Sequence, residues 1–401
     1  MTLGEACQIK PPKSEGRDKV SADKPVSFLP MEDLGIDEKF VRATQAKPLS
    51  VVVGGYTYFA NGDVLLAKIT PCFENGKLGI AEGLTNGIGF GSSEYIVFRP
   101  GKTLSKEWLY YYLSRESFRV EGAERMSGAV GHKRVSKEFI ESYSIPIPPL
   151  PEQHRIVGIL DEAFDALSTA TANAEQNLHN ARALFESHLQ SVFTQRGKGW
   201  VEKRLGDVLA VQPQNGWSPP AANHADSGTP VLTLSAVTGF VFRPQKIKFT
   251  SAVTAPKARY WVQNGDFLIT RSNTPELVGH VAIASGIEKP TIYPDLIMRM
   301  NPDPAKALTE FVYYQMRTPA LREEISGRAQ GANPTMKKIS NEAVRTLPIC
   351  VPPISEQHKV VAQLDALSAE TKRLEFIYRQ KLAALEELKK ALLHQAFRGQ
   401  L

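Results

Sequence analysis

The rhythm of hydrophobic and polar positions changes twice along this chain, in the same way each time. Residues 1–149 and 200–353 carry short apolar runs rich in β-branched residues and broken by Gly and Pro. Within them, Val51-Val52-Val53 and Val278-Gly279-His280-Val281-Ala282-Ile283 predict strands, and residues 104–116 and 307–326 predict helices. Each mixed stretch ends in a Pro-Pro pair, and a long pattern with a period near 3.5 comes next, over 151–194 and 355–397. In the second of these, Leu364, Leu367, Thr371, Leu374, Tyr378, Lys381, Leu385, Leu388 and Leu392 form an a/d seam. The matching seam in the first is Leu160, Ala163, Leu167, Ala170, Ala174, Asn177, Ala181, Leu184 and His188. One seam is small where the other is large at the aligned positions Ala163 and Leu367, Ala170 and Leu374, and Ala174 and Tyr378, which suits a close helix pair within one chain.

The pattern reflects an internal duplication. Ile145-Pro146-Ile147-Pro148-Pro149-Leu150-Pro151-Glu152-Gln153-His154-Arg155 aligns with Ile349-Cys350-Val351-Pro352-Pro353-Ile354-Ser355-Glu356-Gln357-His358-Lys359 at a lag of 204 (358 − 154). Asn61-Gly62-Asp63-Val64-Leu65 aligns with Asn264-Gly265-Asp266-Phe267-Leu268, and Leu3-Gly4-Glu5 with Leu205-Gly206-Asp207. Shifts of one or two residues in the lag are what loop insertions produce.

These readings give an α+β fold. Two similar α/β domains, 1–149 and 200–353, are separated by long helices within the spacers 150–199 and 354–401. The first helix must leave domain one and reach domain two, and the second starts at domain two. A packed pair must therefore run as an antiparallel coiled coil, with a pseudo-twofold internal repeat. Two equivalent readers suit duplex DNA, whose strands are themselves related by twofold axes.

Composition refines this little. Lys and Arg exceed Asp and Glu by 48 to 42, a formal net charge of +6, which permits a polyanionic partner without requiring one. The three cysteines, Cys7, Cys72 and Cys350, lack metal-ligand spacing and point away from a disulfide framework. No apolar run approaches the roughly 18 residues that span a bilayer, and the N-terminus has no signal-peptide pattern. The expectation is a cytoplasmic protein with no membrane association and no bound metal.

The Pro-Pro-x-x-Glu-Gln-His stretches at 148–154 and 352–358, the Leu-Gly-Asp at Leu205 and the Gly-Asp-x-Leu segments at Gly62 and Gly265 resemble the specificity (S) subunits of type I restriction–modification systems. The tail Gln395-Ala396-Phe397-Arg398-Gly399-Gln400-Leu401 adds to the likeness, which covers nearly the whole chain. The resemblance implies a non-catalytic, sequence-specific DNA-binding subunit in which each domain, a target-recognition domain, reads one half of a bipartite double-stranded target. It implies that the helices set the unread gap and dock two methyltransferase (M) subunits, with restriction (R) subunits joining them. No cofactor is expected on this chain; S-adenosylmethionine and ATP belong to the partners.

Candidate DNA contacts lie just beyond each Gly-Asp-x-Leu, where a strand end presents Lys68 and Thr70 in one copy, and Arg271 and Asn273 in the other. Such residues reach phosphates or the edges of guanine and adenine. The loop before each Pro-Pro is a second candidate. In copy one, Ser127-Gly128-Ala129-Val130-Gly131-His132-Lys133-Arg134 offers His132, Lys133 and Arg134. In copy two, Gly331-Ala332-Asn333-Pro334-Thr335-Met336-Lys337-Lys338 offers Asn333, Thr335, Lys337 and Lys338. A third is Gln214-Asn215-Gly216-Trp217, where Asn215 could read a base and Trp217 could stack on one or fill the core. His154 and His358 read as capping or interface residues.

Enzymatic signatures do not emerge. The Asn/Asp-Pro-Pro-aromatic motif of a DNA methyltransferase is absent, no Walker-type loop occurs, and Gly87-Ile88-Gly89-Phe90-Gly91 lacks the strand-to-helix context of a cofactor loop and reads as a turn. Two alternatives stay open: a coiled-coil interaction scaffold that binds no DNA, and a degenerate DNA methyltransferase.

Overall fold

The structure is a computed structural model that describes residues 1–401 other than Val130, Ala332 and Pro334. The chain forms two compact units. One comprises Met1–Glu175 with Arg379–Leu401, the other Gln176–Tyr378. No helix among the described residues is long and apolar enough to cross a membrane.

The first unit is built on an antiparallel sheet of Cys7–Ile9, Tyr95–Pro100, Val64–Ala67 and Leu78–Ile80, in that spatial order. Gly62, at φ +91°, turns the chain into the central strand, a conformation that side-chain-bearing residues resist. Buried Asp63 then accepts the backbone N–H of Ala60 at 2.8 Å and a fork of two N–H groups from Arg99 at 2.7 and 2.8 Å. A carboxylate withdrawn from water is tolerable because its lone pairs are filled in this way.

The second unit repeats this sheet with Leu209–Asn215, Ile297–Pro302, Phe267–Thr270 and Val281–Ile283. Gly265 turns at φ +94°, and buried Asp266 accepts from Gln263 N at 2.8 Å and Asn301 Nδ2 at 2.9 Å. Leu65 lies opposite Val97 as Leu268 lies opposite Arg299, so Asn301 stands where Arg99 does. The additions to this shared sheet differ. The first unit carries a mixed sheet of Gln45–Pro48, Pro25–Leu29, Ile88–Gly91 and Thr57–Ala60, the second a three-stranded sheet of His224–Ala225, Ile247–Thr250 and Thr229–Leu232.

Two short runs depart from the sequence reading. Val51-Val52-Val53 belongs to a helical turn, Leu49–Val52, and its cap, not to a strand: Pro48 presets the entry, Gly54-Gly55 comes directly after, and Val53 N–H returns to Leu49 O at 3.0 Å. Ile88–Gly91 is a buried strand, not a turn. Its neighbours lie so close that a Cβ on Gly89 would sit 2.4 Å from the Phe59 ring.

The long helices are Leu150–Gln195 and Ile354–Ala396, and together with the two sheet-bearing domains they give the α+β class. Their segments pair antiparallel within each unit. In the first, Arg155 donates to the carbonyl of Leu401 at 2.6 Å, Leu160 shares a core with Leu393, and Lys389 lies over the Phe164 ring at 5.9 Å. In the second, Arg182 pairs with Glu375 at 3.2 Å, and Phe185, Leu189 and Phe193 cluster with Val360 and Leu364.

The seam follows the predicted heptads throughout as far as Ala174 and Tyr378, which are equivalent positions. Beyond them Ala181 and Leu385 stay on it, while the exposed predicted positions give way to the next residue in both helices. Leu178, Ala181, Phe185, Leu189 and Phe193 carry it in the first, while Asn177, Leu184 and His188 are exposed. In the second, Leu382, Leu385, Lys389 and Leu393 carry it, and Lys381 and Leu388 are exposed. A straight α-helix drifts about 20° per heptad from a 3.5-residue repeat. Steps of four at 181, 185, 189 and 193 absorb that drift and turn Phe185 and Phe193 onto Tyr314 and Phe311.

Candidate nucleic-acid interface

In each unit the chain beyond the central strand pairs with the loop that precedes Pro-Pro. In the first, Val135 N–H donates to Lys68 O at 3.0 Å, Thr70 N–H donates to Lys133 O at 3.0 Å, and Ile69 bridges Arg134. In the second, Ile339 N–H donates to Arg271 O at 2.9 Å, and Ser272 and Asn273 lie opposite Lys338 and Lys337. Two stretches that the sequence offered as separate candidates thus form one ribbon, twice, with equivalent pairings. Val130, Ala332 and Pro334, which belong to those stretches, lie outside the described residues.

The two ribbons differ in electrostatics. Arg134 grips Glu94 with Nε at 2.9 Å and Nη2 at 2.8 Å, and its Nη1 donates to the carbonyl of His132 at 3.0 Å. Lys68 donates to Ser93 O at 3.0 Å and stands 3.9 Å from Glu94. The Arg134 hydrogen bonds hold the Glu94 carboxyl below its ordinary value against the opposing effect of burial, with Lys68 assisting. Thr70 Oγ1 donates to Glu74 at 2.9 Å and turns inward. His132 and Lys133 are exposed.

No carboxylate among the described residues pairs with the second ribbon. Lys337 Nζ donates to Gly331 O at 2.9 Å, and Lys338 is exposed. Asn333 Oδ1 accepts from Thr335 N and Oγ1 at 2.9 and 2.8 Å, a local turn. Among the described residues the Arg271 side chain hydrogen-bonds only the carbonyl of Asp295, at 3.5 Å. Asn273 Nδ2 lies 3.4 Å from Thr238 Oγ1, and its Oδ1 accepts Thr274 N–H. Asn215 ends its strand with a buried side-chain oxygen that has no hydrogen-bond partner among the described residues. Trp217 is half-buried and stacks on Tyr260 with ring centres 5.3 Å apart.

Sequence reasoning missed Glu94, which lies forty residues from Arg134 in the chain. His154 and His358 are exposed and make no capping bond among the described residues, which leaves the interface reading of them, whereas Gln153 and Gln357 are fully buried and tie each helix start to its domain. Tyr111 hydrogen-bonds Asp161, and Tyr314 repeats the contact to Asp365 at 2.5 Å. Among the described residues, no group of three or more His, Cys, Asp or Glu is placed to hold a metal ion.

The family described as "Type I restriction modification DNA specificity domain" matches residues 3–178 and again 197–386. The chain is 26% identical to the EcoEI type I restriction enzyme specificity subunit of Escherichia coli, across 91% of this chain and 76% of that one. It is 25% identical to the EcoKI specificity subunit of E. coli strain K12, across 83% and 76%. The crystal structure of the HsdS subunit from Thermoanaerobacter tengcongensis superposes with a TM-score of 0.63 at 20% identity, covering 100% of this chain and 96% of that one. A chain solved in work on assembly and conformational transition of the type I R-M system superposes with a TM-score of 0.80, again at 20% identity, covering 100% and 97%.

Proposed function

Because the chain belongs to the type I restriction–modification DNA specificity family, we propose that it selects the target of such an enzyme by reading a bipartite duplex sequence, one half-site with each unit. The observation that carries this reading is the recurrence of the ribbon. Lys68 to Val135 and Arg271 to Ile339 place cations at the equivalent point of the equivalent sheet twice, with Thr70 beside them in the first unit and Asn273 in the second. Lys and Arg there would neutralise phosphates and reach guanine, and Asn and Thr would reach adenine or phosphate.

On this reading the long helices set the unread gap and dock two modification subunits, which bind S-adenosylmethionine and methylate adenine. ATP-driven restriction subunits join that assembly, in the cytoplasm. This chain itself binds no cofactor and catalyses nothing.

Methylome sequencing of the host with and without the gene tests the proposal. Loss of one bipartite methylated motif is expected. Unchanged methylation, together with DNA binding that does not weaken with salt, would return the choice to a scaffold without DNA. Binding of S-adenosylmethionine by the isolated chain would instead favour a degenerate methyltransferase.

A further inference from the structure

We propose that Glu94 is a positioning residue that fixes Arg134 as a two-pronged reader of a G·C pair in the first half-site. The inference rests on the DNA reading above and adds to it which base the first unit grips and how.

A guanidinium has five N–H donors. Glu94 takes the Nε–H and one N–H of Nη2, and the His132 carbonyl takes one N–H of Nη1. Two donors remain, one on each terminal nitrogen. Two is the number that a bidentate contact to guanine O6 and N7 consumes. The side chain is 46% exposed, against 22% for Glu94, so the arginine is the more solvent-accessible member of the pair.

A free arginine would have to give up rotamer freedom on meeting DNA. One already chelated has done so on folding, and its plane is set before contact. The same carboxylate draws charge from Lys68 and Arg134, which weakens their pull on any phosphate and leaves direction as the stronger effect. The arrangement belongs to the first unit alone. Backbone pairing places Leu296 where Glu94 stands, since Lys68 N–H donates to Glu94 O and Arg271 N–H donates to Leu296 O. Alignment places Lys338 where Arg134 stands. The second unit therefore presents a point charge without a buttress.

The test is competition binding by the full chain in complex with its modification subunits, on duplexes changed one base pair at a time. Glu94→Gln is expected to keep or raise total DNA affinity and to steepen its salt dependence, since one negative charge is gone. It should also lower discrimination at a single G·C pair of the first half-site by about tenfold or more. Arg134→Lys should reproduce that loss at the same base pair, and discrimination in the second half-site should stay intact. Unchanged discrimination in Glu94→Gln, or equal loss in both half-sites, would overturn the proposal and leave Glu94 a structural group. If wild-type binding has no salt dependence, the DNA reading itself fails first.

Discussion

Gln153 Oε1 accepts the backbone N–H of Ser105 at 2.8 Å in a site closed to solvent. Its amide nitrogen donates to the carbonyls of Thr103 and Pro148 at 2.8 and 2.7 Å. Gln357 repeats all three bonds, accepting from Leu308 and donating to Lys306 and Pro352. One amide thus completes the start of a domain helix, the loop before it and the start of a long helix.

Gln357→Ala should therefore leave one buried and two part-buried groups unpaired and destabilise the second unit by about 3 kcal/mol, since each orphaned buried group costs roughly 1–3 kcal/mol before relaxation. Native-state hydrogen exchange checks it. The amide of Leu308 should lose protection while that of Ser105 keeps it. Equal loss at both would show that the two anchors are not independent.

His280 gives the second unit a pH dependence. Burial pushes its imidazole down to about 4 from the ordinary 6.5, the Arg322 charge adds to the effect, and the ring stacks on Phe240 at 4.1 Å. Its Nδ1 accepts the Gly239 N–H at 2.9 Å, a role open only to the neutral ring. The folded value lies below the unfolded one, so the unfolded chain binds the extra proton. Stability is complete above about pH 6.5 and falls as pH drops towards 4, by about 2–3 kcal/mol in all. Denaturant titrations at pH 7 and pH 4.5 should show this loss, and His280→Phe should remove most of it.

The duplication and the helix pairing were legible, because repeated motifs and heptad spacing are properties of sequence order; the shared sheet was not, because its strand order rests on pairings between segments far apart in the chain. The seam beyond Ala174 was not. Leu184 and Phe185 are adjacent and both apolar, and periodicity alone cannot say which of them turns inward. Phe185 does so because Tyr314 and Val360 offer it a surface. The ribbons were half legible: Lys68, Arg134, Arg271 and Lys338 stood out as cations, but their pairing depends on contacts more than sixty residues apart. Glu94 left no local signal, since what distinguishes it is the arginine it faces.

Among the described residues the Arg271 side chain has one weak hydrogen bond, to the carbonyl of Asp295, so its removal should cost the fold little. If it meets DNA, Arg271→Ala should weaken reading of the second half-site only, by about 1–3 kcal/mol for a base contact. A phosphate contact would instead lower affinity across all sequences and reduce the salt slope by about 1. Binding to duplexes altered in one half-site at a time separates these outcomes, and loss at both half-sites would contradict a modular reader.

The helices can be tested as a ruler by removing one heptad from each at matched positions, 167–173 and 371–377. Equal deletion keeps the antiparallel partners in register, because seven residues make nearly two turns and rotate the remainder of each helix by only about 20°. Each helix shortens by about 10 Å at 1.5 Å per residue, which corresponds to roughly three base pairs at 3.4 Å each. Both half-sites should then be read unchanged, with an unread gap shorter by about three base pairs, and sequencing of methylated sites in cells carrying the variant would show it. Deleting from one helix alone should break the seam and abolish methylation, because side chains on the two helices would no longer meet. A gap that stays constant after the paired deletion would mean that the helices do not set the distance between half-sites.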